Sequence, residues 1–329
     1  MVHDSVEAAS GARLESAEHH FLFVGACLGC LFLFHDPLRK LIQLGVQDDR
    51  YTADLLIPFL SVILLWLRRK FLFRDLRYSP IAGSAFLLSS LLLAVAAAGG
   101  APLPGNYLFS AQILAFIMAL VGLFVLCYGW HVAKTAAFPL ALLLLTVPVP
   151  VNLLDHLVVA LQTGSAAVSY RLFQLAGVPV ERETAVRFGL PGVSIEVGQE
   201  CSGIRSSLSL FITSLVVGYV LLRSAWSRVA FSLLTLPVVI VKNALRIVTI
   251  SCLGVYVDSG FFYGRLHRNS GLPFSVVAII MLVPLLLLLI RAERVHEIGR
   301  SSHVLPIRTR ARDSYPKENC TEIGASRRV

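Results

Sequence analysis

The sequence predicts an all-α polytopic membrane protein, and three observations support this fold class. Of the 329 residues, 56% are hydrophobic and 15% are charged, whereas a soluble protein carries about 25% charged residues. Several apolar stretches approach or exceed the roughly 20 residues that a helix needs to cross a bilayer. Backbone groups in lipid must be satisfied within their own segment, which favours helices, and the short alternating segments of a transmembrane barrel do not occur.

The apolar stretches define eight predicted spans, each dominated by leucine, valine and alanine. Pro148 and Pro150 are expected to end or kink the fifth span, and Pro237 to kink the seventh. The spans form an integral domain over 19–291, between a polar N-terminus (1–18) and a polar tail (292–329) whose composition is typical of disorder. The predicted spans are 19–36, 53–68, 81–99, 107–127, 136–152, 203–222, 229–256 and 273–291.

The distribution of charge predicts the orientation of these spans in a cell inner membrane. Basic residues are concentrated in loops 68–77, 131–134 and 223–228 and in the tail, while the alternate loops are uncharged or of mixed charge, with 39–50 the poorest fit. The positive-inside rule therefore predicts that both termini are cytoplasmic. Topology accounts for the net charge of +9, so we expect no nucleic-acid partner. Four acids among the first twenty residues predict that no signal peptide is cleaved.

The longest loop, 151–201, divides into two parts. The first, "NLLDHLVVALQTGSAAVSYRLFQLAG", has helical spacing with a polar side and is expected to lie in the membrane interface. The second, "VPVERETAVRFGLPGVSIEVGQE", has short alternating patterns around a Gly-Leu-Pro-Gly turn. This pattern predicts a small hairpin that rests on the outer face before the sixth span.

Five of the six cysteines have surroundings that suggest no chemistry. Cys27 and Cys30 form a CxxC inside an apolar run, where packing against lipid or other helices is the expected role. Cys127 and Cys252 also lie within apolar segments, and Cys320 stands in the polar tail. No metal-ligand spacing and no disulfide framework emerge. We therefore expect neither a metal nor another cofactor.

Cys201 differs, because "VGQECSGIRSS" places it where a polar loop meets a long apolar run. A thiol at a helix N-terminus is stabilised as the nucleophilic thiolate by the helix dipole and free N–H groups. Ser202 or Ser206 could cap the first turn, and Gly203 would allow a substrate backbone to approach. Glu200 is a supporting candidate whose alternative role is to balance nearby basic groups.

Span seven carries Lys242, Asn243 and Arg246 within the largely apolar stretch "VVIVKNALRIVTI". Ionisable residues inside a span are costly and indicate a functional site. The two cations share one helix face, which is unfavourable without an anionic partner. The predicted topology brings Arg246, in the outer half of span seven, to the same face as Cys201 and as His267, which precedes span eight.

These residue types suit peptide cleavage or transpeptidation. A thiolate attacks a carbonyl to form an acyl-enzyme, arginine stabilises the oxyanion, and histidine protonates the leaving amine. Each residue alone has a plain alternative: Cys201 a structural role, Arg246 pairing with a buried acid or a lipid phosphate, His267 a solvated loop position. Their joint placement favours catalysis.

The blocks "ECSGIRSSLSLF", "NALRI" and "HRNSG" resemble the three signature blocks of the exosortase/archaeosortase family, in the same order, across roughly 190–275. The resemblance implies an eight-span fold with Cys201 as nucleophile, Arg246 assisting it and His267 completing the triad. Histidine at the third position is similar to the bacterial exosortase branch. Lys242 is not part of the signature.

The resemblance also implies a substrate class, namely secreted proteins with a C-terminal tripartite sorting tag of the PEP-CTERM kind. Such a tag has a short motif such as Pro-Glu-Pro, one transmembrane helix and a basic cluster. The tag's helix would dock among the spans within the lipid, its basic end would stay in the cytoplasm, and the motif would emerge at the level of Cys201.

Other functions remain open at the level of sequence. A transporter could use Arg246 and Lys242 to line a pathway for an anionic or lipid-linked solute, although no internal repeat is visible. A non-catalytic assembly factor for exopolysaccharide export would tolerate loss of the thiol. Serine protease chemistry through Ser202 is weaker, since no GxSxG motif occurs.

Overall fold

A computed structural model describes residues 2–48, 51–73, 78–99, 104–198, 204–262 and 271–303. Five helices in these ranges are long and apolar enough to cross a membrane, or six if one pair bent by 76° is counted as a single span. Three shorter apolar helices accompany them, over 55–67, 137–146 and 206–221. The predicted all-α polytopic membrane fold is confirmed, and the count of eight spans stays a prediction.

The first half of the chain forms long helices at the predicted spans. Helix α1 begins inside the predicted polar N-terminus, and α1 and α2 are the bent pair. Helix α2 follows where the prediction had a loop. The bounds are α1 Val2–Leu33, α2 His35–Gln47, α3 Thr52–Leu67, α4 Arg69–Leu72, α5 Pro80–Ala98 and α6 Gly105–Tyr128.

The predicted fifth span, 136–152, is not one helix. It comprises α8 (Ala137–Leu142) and a 3-10 turn (Leu143–Thr146), and α7 (Trp130–Thr135) precedes it. Residues 147–150 are not helical, because prolines at 148 and 150 cannot donate the backbone hydrogen bonds of a helix. The predicted helix end at these prolines is therefore confirmed, whereas the predicted extent to 152 is wrong.

The second half contains two helices of 32 and 33 residues and, among the described residues, the only strands. Helix α11 continues through Pro237, and α12 continues well past the predicted end of the last span at 291. The domain boundaries remain predictions. The elements are α9 Val151–Leu175, β1 Glu181–Arg182, β2 Arg187–Leu190, β3 Val193–Glu196, α10 Ile204–Leu221, α11 Ala225–Tyr256, a 3-10 turn Ser259–Phe262 and α12 Gly271–His303.

The strands confirm the predicted hairpin and extend it. β2 pairs with β3 in antiparallel register, with Phe188 opposite Ile195, and β1 adds a third strand beside β2. Gly192 has φ 78°, which the tight β2–β3 turn requires and which glycine adopts without strain. The Arg187 guanidinium donates to the Glu196 carboxylate at 2.5 Å, and this contact raises the pKa of Arg187.

A buried apolar cluster joins α1, α6, α7 and α8, and partly buried residues of α5 pack against it. Cys30 and Cys127 belong to it, and Cys27 and Cys252 are free thiols of intermediate exposure. The packing role predicted for Cys30 and Cys127 is confirmed. Helices α5 and α6 approach closely at Gly83, where an added Cβ would lie 2.7 Å from the Leu126 Cα.

The α10–α11 turn defines one end of the bundle. A Glu293 carboxylate from α12 accepts hydrogen bonds from the backbone N–H groups of Arg223 and Ser224, at 3.1 and 2.8 Å. The guanidinium groups of Arg68 and Arg228 lie over the Tyr219 ring, 4.3 and 5.0 Å from its centroid. Arg68 and Arg228 therefore meet at this end, which we call the basic end.

Helix α9 lies along the opposite end. Tyr51, at the start of α3, donates a hydrogen bond to the Val149 carbonyl just before α9. Near the other terminus of α9, the Phe173 ring lies 6.2 Å from the Phe188 ring of the sheet. Both termini of α9 thus lie away from the basic end. This arrangement fits the predicted interfacial helix, although length and hydropathy would also allow a crossing.

Candidate active site

Residues of α10 and α11 that are equally far in sequence from the turn joining these helices lie at similar distances from the basic end. Ser206 stands 18 residues before Ser224 and Lys242 stands 18 residues after it, so helices that rise about 1.5 Å per residue bring them to one level. The Lys242 Nζ indeed donates to the Ser206 Oγ at 2.5 Å. Because α10 begins at Ile204, Lys242 marks the level at which the chain enters α10.

The same count places the start of α12. Glu293 lies beside Ser224, and Gly271 stands 22 residues before Glu293, just as Arg246 stands 22 residues after Ser224. At about 1.5 Å per residue, both are about 33 Å from the basic end. Arg246 is half-buried and lies one turn beyond the level of Lys242. The starts of α10 and α12 therefore approach the level of Arg246.

Buried polar contacts fix α9 against α11. The Asn243 Nδ2 donates to the Ser165 Oγ at 3.1 Å, and both side chains are fully buried. Gly164 allows this approach, because a Cβ there would lie 3.3 Å from the Ile240 Cδ1. Asn243, a predicted supporting residue, thus holds the helix that carries Arg246 against its neighbour.

The sheet packs on the same part of α11. Phe188 and Val197 are buried in a cluster with Phe173 of α9, and Ile247 and Cys252 of α11 pack against that cluster. The Gln162 Nε2 donates to the Val197 carbonyl. The chain that leads from the sheet toward Cys201 is therefore held next to the turn of α11 that follows Arg246.

The end of α11 folds back on itself. Phe262, in the 3-10 turn after α11, packs so closely on Gly254 that an added Cβ would lie 2.4 Å from the ring. Gly254 is eight residues beyond Arg246, about 12 Å along the helix. Phe262 is the last described residue before 263–270, which contains His267, and α12 then begins at Gly271.

The predicted site residues fall into two groups. Arg246 and Asn243 are described and lie at the end of the bundle opposite the basic end. The other predicted site residues lie outside the described residues: Cys201, His267, Glu200, Ser202 and Gly203. Val197 and Ser206 flank the first of these undescribed segments, and Phe262 and Gly271 flank the second. Val197, Ser206 and Phe262 lie against the half of α11 that contains Arg246.

The sequence indicated a polar side on α9 but not that this side is buried against other parts of the protein. Gln162, Ser165 and Ser169 are buried, whereas the prediction gave α9 a polar side toward the interface. Their spacing, with Phe173 one turn further on, follows one helix face and could have indicated a contact with another polar helix. Among the described residues, no group of three His, Cys, Asp or Glu side chains could hold a metal ion.

Comparison with known proteins identifies the family. The model of the transmembrane exosortases matches residues 45–284, which is most of the chain and includes every predicted site residue. Searches of curated proteins and of solved structures give no match. The exosortase family consists of multi-pass membrane proteins that are generally sortase-like cysteine transpeptidases. From its match over residues 45–284, this chain belongs to the transmembrane exosortase family.

Proposed function

We propose that this protein is a membrane cysteine protease and transpeptidase that cleaves a C-terminal sorting tag from secreted proteins at the outer face of the inner membrane. The observation that carries the proposal is the convergence on Arg246. The residues flanking the Cys201 segment and the His267 segment meet the outer half of α11, where Arg246 is half-buried.

The proposed reaction has two steps. The Cys201 thiolate attacks the carbonyl carbon of the scissile peptide, and the oxyanion that forms is stabilised by the Arg246 guanidinium. His267 donates a proton to the leaving nitrogen, so the C–N bond breaks and a thioester remains. His267 then takes a proton from water or an acceptor amine as that nucleophile attacks the thioester, and Cys201 is released.

The arrangement of charge supports the direction in which the tag would bind. Arg68 and Arg228 lie at the basic end, and the positive-inside rule assigns that end to the cytoplasm. A tag whose transmembrane helix enters from the lipid would keep its own basic cluster on that side. Its motif, about 30 Å away across the hydrocarbon core, would then reach the level of Arg246.

The transporter alternative has less support. A lysine that lines a solute pathway would contact water, whereas Lys242 is 2% exposed and donates to Ser206. Asn243, beside it, is buried against α9. Both polar groups hold helices together, as expected for a fixed site at one end of a bundle.

The test uses a reporter protein with a C-terminal tag, co-expressed with each variant. Cys201→Ser is expected to abolish cleavage, since a serine hydroxyl is a far weaker nucleophile without strong base activation. Arg246→Ala is expected to lower turnover about 100- to 1000-fold. Arg246→Lys should retain part of the turnover, because lysine keeps the positive charge but lacks the planar guanidinium group. The uncleaved reporter should still co-purify with all three.

Cys27→Ser and Cys127→Ser provide matched controls, because these thiols lie in helices α1 and α6, outside the cluster around α11. Both should cleave normally. Normal processing by Cys201→Ser would refute the thiol mechanism. Loss of co-purification in Arg246→Ala, with unchanged cleavage per bound reporter, would assign Arg246 to substrate recognition.

A further inference from the structure

Two buried hydrogen bonds hold the chain on either side of the Cys201 segment. Before it, the Gln162 side chain of α9 donates to the Val197 carbonyl. After it, the Lys242 ammonium of α11 donates to the Ser206 hydroxyl in the first turn of α10. The chain therefore enters and leaves residues 199–203 attached to the same pair of helices.

The two donors are buried side chains whose hydrogen bonds are costly to lose. Gln162 is 8% exposed and Lys242 is 2% exposed. A buried donor that loses its partner costs about 1–3 kcal/mol, and more when it is charged. A buried leucine or methionine would fill the place of Lys242 without the cost of a charge within a span. The ammonium is thus better explained by what it holds than by packing.

The base for both contacts is rigid. Helices α9 and α11 are joined by the buried Asn243–Ser165 hydrogen bond and by the close approach at Gly164. Gln162 stands three residues before Ser165, and Lys242 stands next to Asn243. The contact between the two helices therefore fixes the backbone positions of both donors.

We propose that Gln162 and Lys242 are positioning residues that fix the two flanks of the Cys201 segment relative to Arg246. The inference rests on the proposed function in taking Cys201 as the nucleophile. Such positioning would aid catalysis by holding the thiol in place before the substrate binds, because a displacement of about 1 Å at the reacting atoms can lower the rate about 100-fold.

The test measures the Cys201 segment directly. A nitroxide spin label is attached to Cys201 in the full-length protein, with every other cysteine replaced by serine, and its mobility is read by electron paramagnetic resonance. Gln162→Leu and Lys242→Met each remove one hydrogen bond at similar side-chain length. Both are expected to increase the mobility of the label, and the thermal midpoint in detergent confirms that each variant is folded.

Ser206 supplies the conservative pair for the second contact. Ser206→Ala removes the acceptor of Lys242 and should increase label mobility as Lys242→Met does, while Ser206→Thr keeps a hydroxyl and should not. Combining Lys242→Met with Ser206→Ala should add little to either change alone. Lys70→Met, at an exposed lysine of α4, is the matched control and should leave the mobility unchanged.

The unlabelled variants then link position to catalysis. Gln162→Leu and Lys242→Met are expected to lower kcat at least 10-fold for the tagged reporter while KM stays within about twofold, in line with the rate cost of misplacement. Unchanged label mobility in folded Gln162→Leu and Lys242→Met would overturn the proposal, and so would increased mobility with unchanged kcat. A third outcome is possible: Gln162→Leu and Lys242→Met increase the label mobility, but Cys201→Ser still cleaves the reporter. It would refute the proposed function and leave the positioning role of Gln162 and Lys242 standing.

Discussion

Replacement of Gly254 by alanine should misplace the chain that leads to His267. The added Cβ would lie 2.4, 2.5 and 2.8 Å from three atoms of the Phe262 ring. Carbon atoms in contact are normally about 3.5–4.0 Å apart, so the ring must withdraw by about 1 Å or more. Such overpacking typically costs about 1–3 kcal/mol. Because Phe262 directly precedes 263–270, part of the displacement should pass into that segment.

We expect Gly254→Ala to lower turnover of a tagged reporter about 10- to 100-fold, since misplacement by about 1 Å can cost about 100-fold. The assay compares the cleavage rate in proteoliposomes with the thermal midpoint in detergent. Adding Phe262→Leu to Gly254→Ala removes part of the ring and should restore some of the lost turnover.

The control is Gly29→Ala in α1, where an added Cβ meets no atom within 4 Å. It should keep full turnover. Normal turnover in Gly254→Ala would show that the Gly254–Phe262 contact does not position the following segment. If Gly254→Ala and Phe262→Leu share one clash, the loss of turnover in the double variant should be smaller than the sum of the two single losses. A double variant whose loss equals that sum would contradict the steric explanation.

Two further predictions concern the bundle itself. Gly83→Ala should lower the thermal midpoint, because the new Cβ would lie 2.7 Å from the Leu126 Cα and the backbone of α6 cannot withdraw as a side chain can; an unchanged midpoint would contradict the close approach of α5 and α6. Glu293→Ala should lower the free energy of unfolding by about 0.5–2 kcal/mol, the usual cost of losing a helix cap, since it leaves the N–H groups of Arg223 and Ser224 without that acceptor. Glu293→Gln should lose less, and equal losses would contradict the capping role.

The sequence was sufficient for those features of the fold that depend on local composition. Apolar runs of span length predicted α5, α6 and α11 closely, and the Gly-Leu-Pro-Gly turn predicted the β2–β3 hairpin. The broken course of 130–146 was missed, because apolar composition alone does not distinguish one helix from two short ones. The third strand was missed as well, because β1 has two residues and its pairing depends on β2.

The sequence could predict at which end of the bundle the site residues lie, because the order of the spans determines this. The order of the spans sufficed to bring Arg246 to the end opposite the basic loops. The contacts of Gln162, Ser165 and Ser206 were not predictable in this way, because each depends on which face of a helix meets its neighbour. A polar face on α9 is compatible both with water and with a polar partner, and only tertiary packing decides between them.

The structure also resolves why two cations share one face of α11. Like charges four residues apart repel, and the sequence favoured Arg246 as the catalytic group without explaining the presence of Lys242. Lys242 is 2% exposed and its ammonium donates to Ser206, so its position is determined by α10. Arg246, one turn further and half-buried, lies beyond the start of α10, where the flanks of the Cys201 and His267 segments converge. Under the proposed function, the buried ammonium of Lys242 holds α10 against α11, and the guanidinium of Arg246, one turn further along the helix, stabilises the oxyanion.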